Sequence, residues 1–168
     1  DVSQAGWRIA ARPQAGISDT RESEWFWELG LSGISRGATR ENVEAPAPEQ
    51  HEGAVVIRRT KAIEEWNKNL AEGIEQGFTL SERPFLESRE ELRLEASVRT
   101  SLEASSLRDD GMSFSFQGKP VLSYAGLRVI DAKGKLLTSR LSYERAGDLL
   151  SLAIHVDDSE AQYPITID

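Results

Sequence analysis

Two histidines, no cysteine and an excess of carboxylates bound the chemistry open to this chain. His51 lies in a polar stretch and His155 in LLSLAIHV. A catalytic histidine needs a nucleophile held beside it and a third group to orient it. No G-x-S-x-G surrounds a serine, and the serines are scattered through strand-like and turn-like segments. His155 alternates with Ile154 and Val156, which predicts a half-exposed residue on the outer face of a strand. Two distant histidines without cysteine make a poor zinc set, since zinc takes three or four close ligands. No metal and no cofactor is expected. The lack of cysteine also excludes disulfides, thiolate sites and cysteine nucleophiles.

Glu64, Glu65, Glu72 and Glu75 share one acidic stretch, for which a solvated face is the plain reading. Glycoside hydrolysis requires only two carboxylates about 5–9.5 Å apart, but abundance is no evidence of a pair. A carboxylate-pair hydrolase is therefore the weakest functional reading. Asp157 and Asp158 with Glu160 are oxygen-rich but lack the spacing of an EF-hand loop, and a hairpin turn accounts for them better. Neither glycine-rich nucleotide-binding pattern occurs.

Trp25, Phe26 and Trp27 are the candidate ligand-binding residues. Consecutive aromatics on a strand point to both faces, so one ring can face solvent and stack on a sugar or anchor a partner. The stronger reading packs both tryptophans in the core, with Phe26 under a long loop.

These residues must be carried by strands. Trp25, Trp27, Leu29 and Leu31 share one face at period two, as do Leu92, Leu94, Ala96 and Val98. Trp7 and Ile9 open a short strand that Pro13 and Gly16 end, AVVIRR reads as another, and Phe114 and Phe116 share a face. Arg108-Asp109-Asp110-Gly111, Asp131-Ala132-Lys133-Gly134, Ala146-Gly147-Asp148 and Asp157-Asp158-Ser159 are turn signals between strand-like runs. Strands at about ten-residue spacing predict an all-β, antiparallel sandwich of about ten or more strands with hairpin connections and at most one short helix. Residues 1–168 read as a single domain with a mobile loop at about 37–53, where Pro, Glu and Ala replace large apolar residues. One stretch is ambiguous. Ile63, Trp66, Leu70 and Ile74 fall at helical spacing, which makes 61–72 a helix, while the turn signal Glu72-Gly73 favours strand, turn and strand.

The 168 residues carry 28 acidic and 20 basic side chains, for a net charge of −8. Nucleic-acid binding depends on clustered Lys and Arg, and the densest basic spot is only Arg58, Arg59 and Lys61. No apolar run approaches the roughly 20 residues of a membrane helix, so no membrane insertion is expected. The chain opens Asp1-Val2-Ser3, which fits either a cleaved leader or a segment boundary.

The segment VLSYAGLRVIDAKGKLLTSRLS, then LLSLAIHVDDSEAQYPITID, resembles a pattern in large bacterial secreted or surface proteins. That pattern runs L-x-Y-x-G-L-x-V-x-D-A-x-G-x-x-L, then L-x-V-D-D-x-x-A-x-Y-P-L-x-I-D-P. EEWNKNLAEGIEQGFTLSERP looks like the same family's E-W-x-x-N … G-L-E-Q-G-F-T-L run, and the matches cover about 64 to 168. The family is an N-terminal all-β module that precedes FG-GAP (integrin-α-like) or other propeller-type repeats. The resemblance favours strand, turn and strand for 61–80. It implies a fragment of a longer multidomain protein, secreted or in the cell envelope, with Asp168 at a domain boundary. The implied role is non-catalytic: a structural and interaction module that supports a downstream repeat array. Its partners would be the adjacent domains of the parent chain, and a glycan or protein at the cell surface. The alternative is a carbohydrate- or peptide-binding module using exposed aromatics or a strand edge.

Overall fold

The computed structural model describes residues 2–3, 6–10, 25–107, 111–146 and 149–168. Among these residues there is no helix, and sixteen strands follow in order. They are β1 (Val2–Ser3), β2 (Gly6–Ala10), β3 (Phe26–Arg36), β4 (Thr39–Asn42), β5 (Glu49–His51) and β6 (Ala54–Arg58). Then come β7 (Ile63–Asn69), β8 (Ile74–Leu80), β9 (Leu92–Thr100), β10 (Glu103–Leu107) and β11 (Gly111–Phe116). The last are β12 (Lys119–Tyr124), β13 (Val129–Ile130), β14 (Ser139–Ala146), β15 (Leu149–Val156) and β16 (Ile165–Ile167).

Every pairing is antiparallel. A seven-stranded sheet runs β1-β2-β3-β9-β15-β14, with β4 added to β3. A six-stranded sheet runs β13-β16-β8-β7-β6-β5, and β10-β11-β12 form a third. The all-β sandwich expected from alternation is what forms.

The inner face of the large sheet is divided between the two others. Leu92, Leu94, Ile154 and Val156 pack with Ile63, Phe78, Leu80, Ile165 and Ile167 of the six-stranded sheet. Further along, Trp27, Leu29, Val98, Leu150 and Leu152 pack with Met112 and Phe114 of the small sheet. The Trp27 and Phe114 rings meet edge to face at 5.7 Å, a favoured aromatic geometry. No helix here is long and apolar enough to cross a membrane, among the described residues.

The stretch 61–80 is strand, turn and strand. β7 and β8 pair from Ile63↔Leu80 to Asn69↔Ile74, and the helical spacing is overturned. The inward residues of β7 are Ile63, Glu65 and Asn67, all buried. Two polar residues on the core face mask the period-two signal, leaving Trp66, Leu70 and Ile74 to mimic a helix. Trp66 lies opposite Gly77, and a Cβ at Gly77 would overlap the indole. The ring covers a bare strand glycine, and its Nε1 donates to Thr79 Oγ1 at 3.2 Å.

The loop expected at 37–53 holds two strands instead. β4 pairs with β3 and β5 with β6, leaving 43–48 without strand. Their side chains are exposed, so no apolar alternation marks them. Of the turn signals, Asp131 to Gly134 closes with Gly134 N donating to Asp131 O at 2.9 Å. The Arg108-Asp109-Asp110 and Gly147-Asp148 turn residues, and Pro13 and Gly16, lie outside the described residues. The strand pairs that the first two connect are in register, Leu107↔Gly111 and Ala146↔Leu149.

A register shift in β3 between Leu31 and Gly33 changes which side chains point inward. Before it, Trp27, Leu29 and Leu31 are buried. After it, the even positions Ile34 and Arg36 take the inner face, because one extra residue inverts the parity of a strand.

Candidate functional site

The aromatic triplet does not form one exposed surface. Trp27 is 4% exposed and lies in the core. Trp25 is half-buried against the same cluster. Phe26, on the opposite face of β3, is half-buried with the Arg8 guanidinium 5.6 Å from its ring centre.

The acidic stretch is split between the two faces of the six-stranded sheet. Glu65 is 0% exposed. Its Oε2 accepts from Arg59 Nε at 2.7 Å and its Oε1 from Gln76 Nε2 at 2.8 Å. Tyr124 of the small sheet donates to Gln76 Oε1 at 3.2 Å, tying that sheet into the same network. Burial, and then the Glu65 charge, push the Tyr124 phenol up, so it stays protonated as a donor. Glu64 and Glu75 are half-buried on the other face, where Glu75 lies 3.6 Å from Lys68, and Glu72 is exposed. Glu72 and Glu75 border a cleft of about 390 Å³ walled by Phe78, Leu127, Leu141 and Ile154.

A second buried network fixes the other end of the sandwich. Arg36 is bidentate on Asp158, Nη1 to Oδ1 and Nη2 to Oδ2, both at 2.7 Å. Arg36 also donates to the carbonyls of Pro84 and Glu90, and Tyr163 donates to Asp158 Oδ2 at 2.5 Å. Burial alone would raise the Asp158 carboxyl, but the Arg36 pair, the Tyr163 hydroxyl and Arg83 outweigh it and hold it below the usual range. Asp131 accepts from the backbone N–H groups of Lys133, Lys135 and Gln162. Burial works against the Asp131 anion, and these three donors hold its carboxyl down in spite of it.

His155 departs from expectation in exposure, though not in face. It points away from the core, as alternation predicts, yet it is only 7% exposed. Arg93 of β9 and Arg140 of β14 are its cross-strand neighbours and shield it on both sides. Its Nδ1 lies 2.7 Å from Glu91 Oε1, and its Nε2 lies 2.7 Å from Ser142 Oγ. Arg140 Nη2 donates to the same Glu91 oxygen at 2.5 Å. Desolvation lowers the imidazole's proton affinity; the Glu91 hydrogen bond opposes this, and Arg140 and Arg93 reinforce it, leaving the pKa below the ordinary histidine value. The neutral ring therefore prevails at pH 7. An ionised carboxylate only accepts, so Nδ1 carries the hydrogen, and Nε2 is left to accept from the Ser142 hydroxyl.

Ser142, Arg93, Arg40, Glu95 and Ser97 line one open depression of about 670 Å³ on the outer face of the large sheet. Arg40 Nε donates to Glu95 Oε2 at 2.7 Å, Ser35 Oγ donates to Glu95 Oε1 at 2.7 Å, and Arg40 also donates to Asn42. Arg93 Nε is buried without a hydrogen-bond partner among the described residues. His51 is exposed at the end of β5 and does not line this depression. Among the described residues, no group of three or more His, Asp or Glu is placed to hold a metal ion.

Searches against family models, curated proteins and solved structures returned no match.

Proposed function

We propose that this chain is a structural and interaction module of a secreted or cell-surface bacterial protein, one that supports a repeat array following it. The observation that supports this reading is the use the fold makes of the motif residues. Within the pattern shared with modules preceding FG-GAP or propeller-type repeats, the polar positions include Glu65, Asp131, Asp158 and Tyr163. Each makes intramolecular hydrogen bonds. Gly77 admits Trp66, and Tyr124 joins two sheets through Gln76. These four are spent on holding strands and turns together.

Buried ion pairs contribute little net stability over apolar packing but fix geometry, because any other arrangement strands a charge. A module that must present a neighbouring domain in a defined orientation gains from that property. The coding sequence on both sides of the segment tests the reading. A secretion leader upstream and tandem repeats downstream are the expected result. A stop codon shortly after Asp168 with no leader upstream would refute it.

A further inference from the structure

The module reading makes no use of Ser142, His155 and Glu91. His155 occupies an unspecified position of the shared pattern, between the Ile154 and Val156 that alternate with it. We propose that Ser142, His155 and Glu91 form a nucleophilic relay, with Ser142 the residue that is acylated by small esters entering the depression beside it. This goes beyond the structural role and stands or falls separately from it.

The geometry meets three requirements. Nucleophile and base are in contact, with Ser142 Oγ 2.7 Å from His155 Nε2. The base is oriented by a third group, with Nδ1 2.7 Å from Glu91 Oε1. The tautomer this imposes is the one that can take a proton from the serine. Access is also provided. The imidazole is covered, whereas Ser142 is half-buried and lines the open depression. Arg93 lines the same space and lies directly across from His155 in the ladder. Its guanidinium places positive charge beside the depression, where a developing oxyanion would be favoured.

In the step assigned, the Ser142 hydroxyl proton passes to His155 Nε2 as the Oγ–carbon bond forms. The ester's bond to its alcohol then breaks, and the imidazolium returns that proton to the leaving oxygen. Water, deprotonated by the same Nε2, cleaves the acyl–Oγ bond, releases the carboxylic acid and restores the serine. No oxidant or further reactant is needed. Ser142 and His155 are the catalytic residues; Glu91 and Arg140 act through His155 as positioning residues.

The test is covalent labelling of the full chain by a fluorophosphonate, which phosphonylates an activated serine with loss of fluoride. The adduct is located by peptide mass spectrometry. The expected result is one adduct on Ser142, none in Ser142→Ala, and labelling slowed about 100-fold or more in His155→Gln, the scale of general-base assistance. Folding of each variant is followed by tryptophan fluorescence. Should His155→Gln fail to fold, the wild-type pH profile serves instead, since labelling must rise through a single ionisation below the ordinary histidine value. In Glu91→Gln the rate falls, and that ionisation moves to lower pH because a partner favouring the imidazolium is lost. A merely structural hydrogen bond would not produce this shift. Folded wild-type protein that labels no faster than Ser142→Ala, or with a flat pH profile, overturns the relay.

Discussion

Glu65→Ala lowers the unfolding free energy by about 3–5 kcal/mol, measured by urea denaturation, because it removes the carboxylate paired with the buried Arg59 guanidinium. The Glu65 and Arg59 side chains are each only 1% exposed, and the pair sits on the inner face of the six-stranded sheet. Without the carboxylate, Gln76 Nε2 also loses its acceptor, and the Tyr124 contact between two sheets loses its anchor. The loss therefore reaches beyond one ion pair. Glu65→Gln keeps the shape and one acceptor oxygen and falls between wild type and the alanine variant. An alanine variant within 1 kcal/mol of wild type would mean that solvent reaches Arg59 freely.

Phe114→Ala has an effect of similar size for a different reason. The ring is 0% exposed, meets Trp27 edge to face, and belongs to the cluster that seats the three-stranded sheet on the large one. Truncating a buried phenylalanine costs about 3–5 kcal/mol through lost transfer free energy and the cavity left behind. Among the described residues the small sheet has no other comparably large, fully buried ring, so its packing loosens first. Tryptophan emission reports this locally: it shifts to the red before the far-ultraviolet β signal is lost. Simultaneous loss of both signals at the wild-type urea midpoint would show that Phe114 carries little of that interface.

The alternation of β9 and of the first half of β3 was readable because their inward residues are apolar and unbroken. The fold class follows from such strands. Where the reading failed, either every side chain is exposed, as in β4 and β5, or polar residues face inward. Glu65 and Asn67 on the core side of β7 made a strand look like a helix. The register shift near Gly33 turned Arg36 inward, and no composition rule places an arginine there before its partner is known. Asp158, that partner, lies 122 residues away.

The Ser142, His155 and Glu91 group was missed for a related reason. Glu91 is 64 residues from His155, and only the order β9-β15-β14 brings them together. Part of it was within reach. The hairpin register that pairs Ala146 with Leu149 sets Arg140 opposite His155 and Ser142 two residues along the same face. Counting outward from Gly147-Asp148 would have placed serine and histidine together.

The central claim is that the buried polar residues of the shared pattern hold the fold rather than serve a site. Adjacent aspartates offer the most direct comparison. Asp157 is exposed and accepts from Ser159 N at 3.1 Å, whereas Asp158 is buried against Arg36. Urea denaturation of Asp157→Ala and Asp158→Ala, side by side at neutral pH, is the decisive measurement. The account predicts a loss of about 1 kcal/mol or less for Asp157→Ala and about 3–5 kcal/mol for Asp158→Ala. Equal, small losses at both positions would contradict it.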